Sequence, residues 1–108
     1  MYLIEIKDGK MSGGSFRKKI KGKDFIFIVF DEDYIPKNEY HIGVYINTGA
    51  FWEPYAGYYV KARSMKKAFL LTYNYFVNVI HCERGFRDLR KIKLNKINDV
   101  NYLKKLKI

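Results

Sequence analysis

Arg63, Lys66 and Lys67 stand together where the sequence predicts a helix to begin, and no acid occurs between Tyr55 and His81. Cations at that end oppose the helix dipole, at roughly 0.3–1 kcal/mol each. A bound anion relieves the clash, because the free amides of the first turn are themselves anion ligands. A local rule broken without visible compensation points to function. Strand parity supplies complementary neighbours: Tyr45, Tyr59, Lys61 and Arg63 fall on one side of a sheet, where Arg17, Lys19 and Lys21 join them from a hairpin. Cations that meet phosphates beside rings that stack on bases suit single-stranded nucleic acid, at roughly 1–3 kcal/mol per stacked base. A strand face can also lie in a duplex groove. The competing expectation is that the tyrosines pack beneath residues 86–108 while the lysines form a solvated rim. Arg84, Arg87, Arg90 and Lys91 make the densest arginine cluster. Were that segment helical, positions 84, 87 and 91 would share one side and offer bidentate contacts to phosphate or carboxylate; as a bare charge run it is a solvated face.

The totals bound these readings. A chain of 108 residues, 48% hydrophobic and 18% aromatic, has the size of one domain and enough apolar material for a core. Its net charge of +10 speaks of partners: a nucleic acid or an acidic protein surface, with no membrane contact expected. The charge is uneven, because residues 31–54 hold five acids against one base. Cys82 is the sole cysteine, which excludes an intramolecular disulfide and a cysteine-rich zinc site and fits a reducing, cytoplasmic compartment. The start Met1-Tyr-Leu-Ile-Glu-Ile-Lys lacks the pattern of a signal peptide, and the longest apolar run, Phe25 to Phe30, is too short to span a bilayer. Asp31, Glu32, Asp33, Glu39 and His41 lack the ligand spacing of an EF-hand or zinc site and read as a polar loop. Met11-Ser-Gly-Gly-Ser lacks the Gly-Lys-Ser/Thr ending of a phosphate loop. No nucleophile context surrounds any serine or Cys82, so neither a catalytic residue, a metal nor a cofactor is expected.

The elements that position these residues are an α+β set. Strands are predicted at Tyr2–Lys7, Ser15–Ile20, Asp24–Phe30, His41–Asn47 and Ala56–Arg63. Lys21-Gly22-Lys23 is a hairpin turn, and Asp8 to Gly14 a flexible loop. Asp24–Phe30 is apolar on both faces and belongs in the middle of the sheet. Pro36 keeps Asp31–Tyr40 irregular, and Asn47 to Pro54 is expected to be a loop that presents Phe51 and Trp52. Ser64 is the N-cap of a helix that runs to His81, with Met65, Ala68, Phe69, Thr72, Phe76, Val79 and Ile80 recurring at helical spacing. Phe86 to Ile97 fits strand or helix, and Asp99 to Leu106 reads as a short helix. The expected architecture is an antiparallel sheet of four to five strands, packed on one face by the single long helix, with a basic C-terminal segment added.

Gly43-Val44-Tyr45 followed by Tyr55-Ala56-Gly57, ahead of a basic helix, resembles the paired motifs of the GIY-YIG nucleases. In that family two short strands precede a helix carrying an arginine, and a later glutamate binds the metal. The resemblance implies a metal-dependent nuclease in which Lys66 or Lys67 stands near the arginine's place and Glu83 serves as the acid. It covers under half of the chain, with Ala56 in place of the usual isoleucine and strands before Gly43 that the family does not have. The residues themselves favour a small, basic, non-enzymatic protein that contacts nucleic acid or a nucleoprotein. The alternative is a protein-binding inhibitor of the kind phages and mobile elements encode, for example an anti-CRISPR-like protein docked on a host nucleic-acid-processing enzyme. Phe51, Trp52 and Tyr55 would then be the anchors, since aromatics concentrate binding energy.

Overall fold

The computed structural model describes residues 2–3, 14–30 and 33–92. One sheet runs through it in the order β1 (Tyr2–Leu3), β2 (Ser15–Ile20), β3 (Lys23–Phe30), β4 (Glu39–Asn47), β5 (Trp52–Lys61) and β6 (Gly85–Asp88). Each strand is antiparallel to the next except β6, which lies parallel to β5. The single helix α1, Met65–Asn78, connects those last two strands. The expected α+β arrangement, a sheet packed on one face by one helix, is therefore present. Its sheet has two members beyond the antiparallel core of four, the two-residue β1 and the parallel β6.

Sequence dictates the local choices. The β2–β3 turn is two residues, Lys21 and Gly22, both at positive φ (51° and 79°), the geometry whose twist matches a tight hairpin. Along β3 the odd positions Phe25, Phe27 and Val29 enter the core beneath α1, while Ile26 and Ile28 are buried on the other side. Phe76 meets both Phe25 (ring centroids 5.2 Å) and Phe27 (5.6 Å) edge-on. Ser64 caps the helix as expected, its hydroxyl accepting from the Lys67 amide at 3.2 Å. Leu71 and Tyr75 are buried along with Ala68, Phe69, Thr72 and Phe76, which widens the inward stripe.

Several boundaries differ from expectation: β3 begins at Lys23 and β4 at Glu39, and β5 ends at Lys61 rather than Arg63. The helix stops at Asn78, three residues before His81, because His81 and Cys82 take left-handed backbone and turn the chain back toward β6. Tyr55 holds that turn, its hydroxyl donating to the Cys82 carbonyl at 2.7 Å. Trp52 and Pro54 belong to β5 rather than a loop, so the β4–β5 connection is only residues 48–51. Pro54 is tolerated there because the register slips beside Val44 and Tyr45, a bulge where a missing amide is harmless. Of the ambiguous segment Phe86–Ile97, residues 86–88 are strand and 90–91 turn, with Leu89 and Ile92 returning to the core, while 93–97 lie outside the described residues. Most of the expected loop at Asp8–Gly14, and the short helix at Asp99–Leu106, lie outside the described residues. No helix among the described residues is long and apolar enough to cross a membrane.

Candidate nucleic-acid interface

With α1 on one face, the register of β3, β4 and β5 fixes what the opposite face presents. His41 pairs with Tyr59, Gly43 with Gly57, and Tyr45 with Pro54. Around these rows lies a cleft of about 300 Å³, walled by Phe30, Tyr34, His41, Tyr45, Tyr59 and Phe86. Its floor is bare backbone. A Cβ on Gly43 would stand 2.7 Å from Phe30 Cε2, and one on Gly57 3.2 Å from Phe86 Cδ2. The two glycines thus let two rings lie down on the strands. His41 stacks against Tyr59 with ring centroids 4.0 Å apart, and Phe86 meets Tyr59 edge-on at 4.6 Å. Phe30 meets Tyr45 edge-on at 6.4 Å, and burial pushes the Tyr45 hydroxyl pKa up. Tyr34 (71% exposed) and Phe86 (56%) form the rim.

The predicted cations behave in two ways. Four of the arginines, Arg17, Arg84, Arg87 and Arg90, are held by carboxylates of the chain itself. Arg17 reaches Asp24 at 2.7 Å, and that bond keeps the Asp24 carboxyl below its usual pKa. Its guanidinium also lies over the Trp52 ring, 5.2 Å from the centroid. Arg84 pairs with Glu53 (3.7 Å) over Tyr55, and Arg87 with Glu83 (3.1 Å). Arg90 joins Asp88 (2.7 Å) and Glu39 (3.4 Å) while covering Tyr59. The expected helical side through positions 84, 87 and 91 does not exist, because β6 is a strand. Lys19, Lys21, Lys61, Arg63, Lys66 and Lys67 are exposed and make no ion pair among the described residues.

These six free cations do not form one patch. Lys19 and Lys21 sit at the β2–β3 hairpin, beside Trp52 and the exposed Phe51 at the β4–β5 tip. Lys61, Arg63, Lys66 and Lys67 gather at the other end of β5, where the Ala62 amide binds the Asn38 carbonyl and α1 begins. Nine residues of β5 separate Trp52 from Lys61, roughly 30 Å at 3.3 Å per residue. The expected continuous Lys/Arg/Tyr face is therefore an aromatic cleft between two cationic ends. Tyr45 and Tyr59 line that cleft as parity predicts, and Phe86 covers part of Tyr59, a small portion of the expected burial under residues 86–108.

Sequence reasoning missed Phe30, Tyr34, His41 and Phe86 as site residues. One signal was available: β3 is apolar at both parities, which places Phe30 on the face away from the helix. Of the residues carrying the GIY-YIG resemblance, Gly43 pairs with Gly57 and Val44 with Ala56 on adjacent strands, while the two tyrosines part. Tyr45 opens onto the cleft, whereas Tyr55 packs on Phe25 and Phe76 beneath the helix. Glu83 is engaged by Arg87 beyond the helix C-terminus, about 20 Å of helix away from Lys66 and Lys67. Among the described residues no three His, Cys, Asp or Glu side chains are grouped to hold a metal ion. No family model, curated protein or solved structure matches the chain.

Proposed function

We propose that this protein binds single-stranded nucleic acid on the face of the sheet turned away from α1, without catalysing a reaction. The observation that carries the reading is an open aromatic cleft with Lys61 at one end, exposed and without an ion pair among the described residues, and with Arg63, Lys66 and Lys67 following where α1 begins. Lys61 follows Tyr59 by two positions on the same side of β5, about 7 Å along the strand. A strand whose base lies on the rings can thus place its phosphates among the lysines. The first turn of α1 holds no acid to compete with them. A reducing, cytoplasmic setting suits Cys82, whose thiol is half-buried and whose pKa burial pushes up.

Four phosphate contacts on a single strand give a fall of log affinity with log salt at a slope of about −3. Fluorescence anisotropy of a labelled oligonucleotide between about 50 and 300 mM salt measures it, and a slope near zero removes the proposal. A second reading, an inhibitor that docks on a protein, is supported by Phe51, 62% exposed at the hairpin tip beside Trp52. Trp52 is partly buried under Arg17, so Phe51 is the cleaner probe of that surface.

A further inference from the structure

We infer that the cleft between Phe30 and Phe86 seats one unpaired base, so that the ligand is a single strand recognised through the faces of its bases. The inference rests on the nucleic-acid reading above and names where one base is seated. Gly43 and Gly57 are cross-strand partners, so the floor of the cleft is two adjacent stretches of flat backbone. Phe30 is folded onto the first and Phe86 onto the second, and a Cβ at either glycine would push its ring away. The walls are thus set by the backbone, and they are apolar and planar.

A volume of about 300 Å³ is at the small end for ligand sites, which run from roughly 300 to 1,000 Å³. It is large enough for a flat ring system. A base inside a duplex hides both faces in the stack and offers the cleft nothing. Tyr45 adds a hydroxyl to the lining, where an edge rich in donors and acceptors can meet it. Aromatic cages also take quaternary ammonium ions. Here Lys61 follows Tyr59 on the same side of β5, exposed and without an ion pair among the described residues. An anionic planar ligand is favoured over a cation.

The test compares three labelled DNAs of equal length, a single strand, the same strand with a central run of abasic sites, and a duplex, on the full chain and on Phe86→Ala. Phe86 is more than half exposed, so its loss leaves the fold intact, and Tyr34→Ala serves as a second variant on the opposite rim. The single strand is expected to bind about five- to 150-fold more tightly than the abasic strand, the factor that one stacked base supplies. Phe86→Ala removes that preference and leaves the salt slope unchanged. Equal binding of base-bearing and abasic strands, with the slope retained, overturns the base-seating inference alone. No binding of any DNA at about 50 mM salt overturns the nucleic-acid reading with it. Tighter binding of a trimethyllysine peptide than of the single strand assigns the cleft to a cation and also overturns the inference.

Discussion

Tyr58 carries a hydroxyl into the densest part of the core. Its ring stands edge-on to Tyr75 and Phe76 at 6.3 and 6.4 Å, and the residue is 1% exposed. The hydroxyl oxygen has no hydrogen-bond partner among the described residues, and burial raises its pKa far above the usual tyrosine value. Tyr55 is the contrast, its hydroxyl engaged by the Cys82 carbonyl. An unsatisfied buried hydroxyl costs roughly 1–3 kcal/mol, whereas the ring around it contributes as any aromatic does. Tyr58→Phe is therefore expected to raise stability by about 1 kcal/mol. Urea unfolding at neutral pH checks this, and a loss of stability would mean that the hydroxyl is bonded in solution. The arginines are the other lesson at this scale. Arg90 binds Glu39 across 51 positions of sequence, and Arg84 binds Glu53 across the sheet. Charge counting along the chain registers such arginines as free.

At the scale of elements, α1 is held by its buried stripe, which tolerates a poor electrostatic start. Lys66 and Lys67 occupy the first turn with their side chains exposed, and Arg63 lies one turn before Lys67. Two acids in their place complement the dipole. The double variant Lys66→Glu, Lys67→Glu is expected to raise helix and protein stability by about 1–2 kcal/mol. It is also expected to flatten the salt slope of oligonucleotide binding by at least about 1.4, since each phosphate contact on a single strand contributes about 0.7. Thermal unfolding and anisotropy read the opposite signs, and parallel changes would show that these lysines have no ligand. The helix and four of the strands were legible because their periods of about 3.6 and 2 survive in the sequence. Trp52–Pro54 was not, because a proline reads as a break unless a bulge is known to receive it. The parity of Tyr45 and Tyr59 was legible too, while the ring laid over Gly57 from β6 required a parallel pairing across the helix that no local pattern announces.

Over the described molecule, four of the five arginines are paired with carboxylates, while Arg63 and the lysines are not. Among the described residues Arg17, Arg84, Arg87 and Arg90 tie strands and turns to nearby carboxylates. The free cations project from two ends that the length of β5 keeps apart. This division was beyond the sequence, since which cations are spent on the fold depends on the register that brings Asp24, Glu39 and Glu53 into reach. It also sets how the folded state responds to salt. Exposed ion pairs contribute only about 0–1 kcal/mol each, and screening removes little when it weakens them. Self-repulsion in a chain of net charge +10 is relieved by the same screening, and it acts between all of the unpaired cations at once. Added salt is therefore expected to stabilise the fold while it weakens oligonucleotide binding. Between about 20 and 200 mM sodium chloride the screening length falls from roughly 20 to 7 Å, so repulsion within the group from Lys61 to Lys67 is damped. A gain of about 0.5–1 kcal/mol corresponds to a rise in Tm of roughly 2–8 °C for a domain of this size. Thermal melts across that range check it. A falling Tm would mean that the arginine–carboxylate pairs outweigh the repulsion, and that the lysines at the start of α1 are neutralised by the protein itself rather than kept for a ligand.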